Sequence, residues 1–218
     1  MQAFKKLHQQ DKPLLLANVW DVSSAKCAEQ AGYKALGTSS AAIASVLGYE
    51  DGEQMPFNEL AFMAGRIAAA TSLPLTVDIE AGYSRDPKVI AENIKQLSLL
   101  GVVGINIEDS IVGEKRTLVG RESFSELILT LKKYLAELDV DVFINVRSDV
   151  FLLGLEDARD EAVLRAKSYQ DAGANGVFFP CVTNKEDIRA IVEATSLPVN
   201  VMAMPDLPDT TVLADLGV

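Results

Sequence analysis

Two carboxylates stand one residue apart at the end of an apolar segment of this sequence. In LPLTVDIEAGYSRDP, residues 73–87, Asp78 and Glu80 follow a run of apolar residues, with Ile79 between them. Side chains alternate along a β-strand, so Asp78 and Glu80 would share one face and Ile79 would take the other. In a barrel of parallel strands, functional side chains gather on the inner face at the carboxyl ends of the strands. We therefore predict that both acids point into such a site.

The next two apolar segments repeat this pattern. Asn106 and Glu108 share one face in GINIEDS, and Asn145, Arg147 and Asp149 share one face in VFINVRSDV. Carboxylates this close together cannot all remain ionised without a cation, and hard oxygen ligands favour Mg²⁺ or Mn²⁺ over zinc. The arginine would bind a carboxylate or phosphonate of a substrate in bidentate fashion. The alternative is a polar plug or salt-bridge cluster inside the barrel with no ligand.

The segments between these acids predict the architecture that positions them. Apolar runs alternate with helical periodicity, at 13–19, 34–38, 73–80, 102–109, 141–149, 175–180 and 197–203. This alternation favours a parallel sheet covered on both faces, and ATSLPLTV at 70–77 recurs as ATSLPVNV at 194–201, as half-barrel symmetry would place it. We expect one (β/α)8 TIM-type barrel domain over residues 1–218, with the eighth strand and its helix missing from the chain. An open doubly wound sheet is the alternative, although no glycine-rich nucleotide motif follows the first strand.

Composition restricts the partners and the compartment. A formal net charge of −11 argues against nucleic acid, and no apolar run approaches the ~20 residues of a membrane span. The two cysteines, Cys27 and Cys181, lie far apart and outside any CxxC motif, which is typical of a reducing cytoplasm. The one histidine, His8, lies in the polar N-terminal segment, where we expect a structural or solvated role. A histidine base and a multi-histidine zinc site are therefore not expected.

The segments ALGTSSAAIA, VDIEAGY, NIEDS and INVRSD together resemble the isocitrate lyase and phosphoenolpyruvate mutase superfamily, in order and over almost the whole chain. The resemblance implies a (β/α)8 barrel that binds Mg²⁺, a 2-oxo acid or related small carboxylate as substrate, and an enolate-like intermediate. It implies that Asp78 ligates the metal directly, that Glu80 and Glu108 hold its waters, and that Asp51 belongs to the metal shell. It also implies a homo-oligomer, a tetramer in most of the family.

The resemblance further implies a substrate-binding segment and a lid. Ser39, Ser40 and Ala41 fall where backbone N–H groups and a serine hydroxyl grip the substrate carboxylate, with Asn145 and Arg147 as further binding residues. The segment DSIVGEKRTLVGRES after Glu108 has the polar, glycine-bounded composition of a mobile lid, so we expect residues 111–121 to be mobile and to close over a ligand.

The lid sequence departs from the family pattern. The lyases carry a cysteine in KRCGH or KKCGH, whereas this chain reads Lys115, Arg116, Thr117, Leu118, Val119, and the asparagine of the phosphonomutase lid is absent too. We name Lys115, Thr117 and Arg147 as the candidate catalytic residues. The predicted function is a Mg²⁺-dependent C–C lyase or decarboxylase acting on a small 2-oxo or 2-hydroxy acid. A phosphonate P–C mutase or hydrolase and a non-catalytic carboxylate-binding barrel are the alternatives.

Overall fold

The structure, a computed structural model, describes residues 1–10 and 12–218. Its strands are β1 (Leu16–Val19), β2 (Ala35–Thr38), β3 (Leu75–Asp78), β4 (Gly104–Glu108), β5 (Ser110–Val112), β6 (Arg116–Leu118), β7 (Phe143–Arg147), β8 (Gly176–Phe179) and β9 (Val199–Val201). Within the described residues, one seven-stranded sheet has the order β1-β2-β3-β4-β7-β8-β9. Every neighbouring pair in it is parallel, whereas β5 and β6 form a separate antiparallel hairpin.

Helices connect successive strands of the sheet. They are α1 (Gln2–Leu7), α2 (Val22–Gln30), α3 (Ser40–Leu47), α4 (Phe57–Ala68), α5 (Pro87–Leu99), α6 (Arg121–Glu137), α7 (Ala158–Asp171), α8 (Lys185–Ala194) and α9 (Thr210–Leu216). Local sequence explains their ends. The side chain of Asp86 accepts a hydrogen bond from the backbone N–H of Lys88, and Pro87 takes the first helical position of α5, where no N–H is needed.

The apolar residues between the acids pack under the helices, as alternation predicts. Val77, Ile79, Ile105, Ile107 and Val146 are fully buried in the main apolar core. Sheet order, parallel pairing and the regular alternation of strands and helices agree with a partial TIM-type barrel, which confirms the predicted fold class. The carboxyl ends of β3, β4 and β7 therefore lie next to one another at the same end of the barrel.

Helix α1 covers the opposite end of the sheet. Phe4, Ala35 and Phe143 form a second buried apolar cluster there, at the first residues of β2 and β7. The ring of His8 stacks on Phe143 with centroids 4.6 Å apart, and its Nδ1 lies 2.9 Å from the carbonyl oxygen of Phe4. Burial lowers the pKa of His8 from its ordinary value. This histidine therefore packs at the other end of the barrel from the acids.

Two observations bear on the compositional predictions. Cys27 and Cys181 are both free thiols. Among the described residues, no helix combines the length and the apolar character that crossing a membrane requires.

Candidate active site

Asp78 ends strand β3 and is buried at the mouth of the barrel. Its Oδ2 accepts a hydrogen bond of 2.9 Å from the hydroxyl of Ser40, the first residue of α3. Its backbone N–H donates to Oγ1 of Thr38 at 3.0 Å, which fixes the end of β3 against β2. Burial raises the pKa of Asp78, while the positive charge of Arg147 opposes that shift. The carboxylate is thus held in place and directed at the mouth.

Glu80 reaches the same space by a turn rather than along the strand. Strand β3 ends at Asp78, and Glu80 adopts a left-handed φ of +50°. Its carboxylate accepts hydrogen bonds from the backbone N–H of Glu53 at 2.5 Å and from the hydroxyl of Tyr83 at 3.1 Å. Burial, and then the nearby charges of Asp78 and Asp51, raise its pKa to about 7. Both acids point into the site as predicted, but Glu80 does so through a left-handed turn and not through the alternation of side chains along β3.

Glu53 fastens two loops of the site together. Its carboxylate accepts from the backbone N–H of Tyr83 at 2.6 Å and from Nη2 of Arg85 at 2.6 Å. Like Glu80, Glu53 and Tyr83 have left-handed φ values, of +60° and +58°. The loop fastened in this way carries Asp51, whose side chain is 49% exposed at the rim.

Glu108 and Arg147 are direct partners in the register of β4 and β7. Nη1 of Arg147 lies 3.2 Å from Glu108 Oε2 and 4.0 Å from Asp78 Oδ2, and its Nε donates to Asp149 Oδ1 at 2.7 Å. Burial raises the pKa of Glu108 to about 8 against the opposing charge of Arg147. Among the described residues, Nη2 of Arg147 has no hydrogen-bond partner.

Strands β5 and β6, residues 110–118, form a hairpin over the acids, here called the lid hairpin. Arg116 points inward from it: Nη1 contacts Glu108 Oε1 and lies 2.8 Å from Asp149 Oδ2, and Nη2 lies 3.5 Å from Asp51 Oδ2. Lys115 and Thr117 are exposed instead. Sequence reasoning missed Arg116. In a two-stranded hairpin, side chains alternate between the two faces, so this pattern would have placed Arg116 on the face opposite to Lys115 and Thr117.

The other predicted binding residues lie in two places. Ser39 caps α3, accepting from the backbone N–H of Ala42 at 3.3 Å, and Ala41 is exposed in the first helical turn. Asn145 lies one level below Arg147 on β7, where its amide donates to Asn106 Oδ1 at 2.9 Å. The structure therefore brings Ser40, Asp78, Glu80, Glu108 and Arg147 together, with Asp51 at the rim, and leaves Lys115, Thr117 and Asn145 apart.

A buried polar cluster that sequence reasoning also missed supports this site from behind. Asp109 Oδ2 accepts hydrogen bonds from Arg165 Nη1 at 2.7 Å and from the hydroxyl of Tyr169 at 2.6 Å. Asp109 Oδ1 accepts from the backbone N–H of Asp149 at 3.2 Å, and Arg165 Nη2 donates to the carbonyl of Val119 at 3.1 Å. The cluster therefore holds both Asp149 and the end of the lid hairpin.

The donor set fits a hydrated hard cation better than a closed metal cage. Over residues 1–10 and 12–218, no three His, Cys, Asp or Glu side chains converge closely enough to enclose a metal ion. Mg²⁺ usually keeps several waters and binds through only one or two carboxylates, with oxygen ligands alone. A cation of this kind would need only Asp78 as a direct ligand, with water in its other positions.

The fold and the site define a class of enzyme. A parallel barrel with acids and an arginine at the carboxyl ends of neighbouring strands agrees with the isocitrate lyase and phosphoenolpyruvate mutase superfamily of C–C lyases and phosphonomutases. The chain belongs to the phosphoenolpyruvate phosphomutase family, whose model matches residues 4–218. The resemblance seen in the sequence motifs is thereby confirmed.

Three relatives illustrate the range of activities in this superfamily. The crystal structure of a proposed phosphonomutase from Burkholderia cenocepacia J2315 superimposes with a TM-score of 0.92 at 39% identity, covering 100% of this chain and 89% of that one. The oxaloacetate decarboxylase of Rhodopseudomonas palustris is 32% identical, over 91% of this chain and 69% of its own length. The 2-methylisocitrate lyase of Shewanella oneidensis is 31% identical, over 90% and 68% respectively.

Proposed function

We propose that the protein is a Mg²⁺- or Mn²⁺-dependent enzyme that cleaves a C–C bond next to the carbonyl of a small 2-oxo dicarboxylate, most simply by decarboxylation. The observation that carries the proposal is that Asp78, Glu80 and Glu108 are all buried at the mouth of the barrel, where Nη1 of Arg147 lies 3.2 Å from Glu108 Oε2 and 4.0 Å from Asp78 Oδ2. The similarity to an oxaloacetate decarboxylase and to a 2-methylisocitrate lyase supports this reaction class.

The cation would bind on the acidic side of the site. Asp78 would ligate it directly, Glu80 and Glu108 would hold its waters, and Asp51 would add charge from the rim. A bound cation would act as a Lewis acid that polarises the 2-oxo carbonyl. Because burial raises the pKa values of Asp78, Glu80 and Glu108, a nearby positive charge would favour their ionised forms.

The substrate carboxylate would bind opposite the cation. Nη2 of Arg147 supplies one donor, held in place because Nε is fixed by Asp149 and Nη1 by Glu108. The backbone N–H groups of Ser40 and Ala41, in the first turn of α3, lack partners within the helix and lie at its positive end. These groups would orient a 2-oxo acid so that its carbonyl oxygen faces the cation bound at Asp78.

In the reaction, the C–C bond to the departing carboxylate breaks and CO₂ leaves. The electron pair moves to the carbonyl oxygen, giving an enolate whose negative charge Arg147 helps to stabilise. The enolate carbon would then take a proton from water. Lys115 and Thr117 are exposed, so neither offers an acid group inside the site. This arrangement favours decarboxylation over a lyase that depends on an acid carried by the lid.

Phosphonate chemistry is the second candidate, because of the 39% identity to a proposed phosphonomutase. Arg147 would then hold the phosphonate group, since guanidinium binds phosphonate oxygens as readily as carboxylate oxygens. A substrate screen separates the two reactions by their products.

The screen would supply Mg²⁺ and test oxaloacetate, substituted malates, isocitrates and phosphonopyruvate, with detection of pyruvate, glyoxylate, phosphate and phosphoenolpyruvate, the last being the isomer that a P–C mutase would form from phosphonopyruvate. We expect pyruvate from oxaloacetate well above the uncatalysed rate, lost with a chelator and lost in Asp78→Asn. Asp160→Asn, an exposed acid of α7, is the matched control and should retain activity. Cation binding without turnover of any compound would instead identify a non-catalytic carboxylate-binding barrel.

A further inference from the structure

Arg116 lies between acids that belong to two different parts of the site. Its side chain is 19% exposed, and its Nη1 contacts Glu108 and lies 2.8 Å from Asp149 Oδ2, both of which are buried. The same nitrogen lies 2.9 Å from the hydroxyl of Ser110, and Nη2 lies 3.5 Å from Asp51 Oδ2 at the rim. One guanidinium therefore contacts Glu108 and Asp51, which are two of the acids assigned to the cation.

Both oxygens of Glu108 already have cationic partners. Oε1 pairs with Arg116 and Oε2 with Arg147. A carboxylate that is paired on both sides attracts a nearby cation less, because the guanidinium charges compensate its own. Arg147 is fixed on a strand of the sheet, whereas Arg116 lies on the lid hairpin. Arg116 is therefore the partner of Glu108 that a movement of the hairpin would remove.

The backbone of the lid hairpin also packs closely on the site. At Gly52, next to Asp51, an added Cβ would lie 2.7 Å from Cβ of Val112, so the hairpin rests directly on this loop. At its other end, the backbone N–H of Val119 donates to the carbonyl of Asp109 at 2.8 Å. Arg116 extends from this packed hairpin, so a displacement of the hairpin would carry Arg116 with it.

We propose that Arg116 is a latch that links the lid hairpin to the cation site. When Arg116 pairs with Glu108 and Asp51, the hairpin lies over the acids and the site attracts a divalent cation less strongly. Cation binding in turn weakens the hold of Arg116 on those acids and loosens the hairpin, since linkage between two binding events is reciprocal. This inference rests on the cation site of the proposed function.

Mn²⁺ binding to the full chain, followed by calorimetry, tests the latch without any substrate. Arg116→Gln should bind Mn²⁺ at least about fivefold more tightly than wild type, the lower end of usual coupling between sites. Arg116→Lys should fall between the two, because an ammonium keeps the charge but has no planar fork that reaches Glu108 with one nitrogen and Asp51 with the other. Arg66→Gln, an exposed arginine of α4, makes the same change in net charge and should behave as wild type.

Hydrogen exchange in the lid hairpin is a second measurement, and a change in Mn²⁺ affinity without a change in the hairpin would not affect it. Mn²⁺ should speed exchange in residues 110–118 of wild type, whereas Arg116→Gln should exchange fast with or without the cation. Equal or weaker Mn²⁺ binding by Arg116→Gln, or an equal gain in Arg66→Gln, would overturn the latch. If the latch is overturned in this way but wild type binds Mn²⁺ and Asp78→Asn does not, the proposed cation site is supported and only the latch is rejected. Failure of wild type to bind Mn²⁺ would overturn both proposals.

Discussion

Replacing Arg165 with Met would measure how much the buried cluster behind the site contributes to stability. Arg165 is 4% exposed and Asp109 is 0% exposed, and Arg165 donates to Asp109 Oδ2 at 2.7 Å and to the hydroxyl of Tyr169 at 2.8 Å. Methionine has a similar reach but no charge, so the substitution leaves the carboxylate of Asp109 buried without its counter-ion. Removing one partner of a buried ion pair costs about 3–5 kcal/mol.

That free energy corresponds to a large change in thermal stability. For a chain of 218 residues, each kcal/mol lowers Tm by roughly 2–4 °C, so Arg165→Met should lower Tm by roughly 6–20 °C. Urea unfolding followed by circular dichroism gives the free energy directly. The double variant Asp109→Asn, Arg165→Met should recover at least about 1 kcal/mol of the loss, because no unpaired charge is then buried.

A matched control lies on the same helix. Arg159 of α7 also pairs with an acid, Asp187, but its side chain is 47% exposed. Arg159→Met should leave the urea midpoint close to that of wild type, since solvent screens exposed pairs. If Arg165→Met were within about 1 kcal/mol of wild type, or no more destabilised than Arg159→Met, the reasoning about burial would be refuted.

Two further predictions use the same unfolding measurements, and a third uses enzyme kinetics. Burial lowers the pKa of His8 below its ordinary 6.5, so the folded state favours the neutral ring. The contribution of His8 to the free energy of unfolding is therefore fully present above pH 6.5 and is lost as the pH falls towards the lowered pKa. His8→Gln should therefore lose less stability than wild type between about pH 7.5 and pH 5.5. Gly176→Ala should cost about 1–3 kcal/mol, because its Cβ would lie 2.8 Å from Asn145 Oδ1, whereas Gly37→Ala, with its nearest contact at 3.5 Å, should be nearly neutral. Arg147→Ala should lower kcat/KM on the substrate found in the screen by a factor equivalent to about 2–5 kcal/mol, and Arg147→Lys should recover only part of it.

Each of these predictions has a result that would contradict it. An acid-induced loss in His8→Gln equal to that of wild type would show that the ring is not held neutral. Equal costs for the two glycine substitutions would mean that the interior near Asn145 has room. An unchanged kcat/KM in Arg147→Ala would remove this residue from substrate binding.

Local periodicity was enough to predict the seven strands of the parallel sheet, but not β5 and β6, and it predicted the positions of most of the acids. Alternation along a strand depends only on backbone geometry, so the inward faces of Asp78, Glu108 and Arg147 followed from sequence. Glu80 also points inward, but through a left-handed residue after the strand has ended. No propensity predicts this conformation for a glutamate, because contacts from another loop, the backbone N–H of Glu53 among them, hold it there.

The residues that sequence reasoning missed depend on a local hairpin in one case and on a contact between distant parts of the chain in the other. Arg116 points inward because Ser110 pairs with Leu118 in the hairpin, and treating this segment as an irregular lid gave no phase for its side chains. Asp109 and Arg165 are separated by 56 residues and meet only when α7 packs beside the carboxyl end of β4. Asp109 lies in the NIEDS motif but Arg165 belongs to no motif, so only the folded chain reveals their contact.

The left-handed backbone at Glu53, Glu80 and Tyr83 also affects how the protein would respond to selection. A residue with a Cβ carries roughly 1–2 kcal/mol of strain in this conformation, and glycine would relieve it. Glycine would also remove the carboxylate and hydroxyl contacts that fasten the loops of the site, and each such contact contributes about as much as the strain costs. A library selected for heat resistance alone should therefore show no drift towards glycine at these three positions, because the strain and the contacts that hold it are lost together.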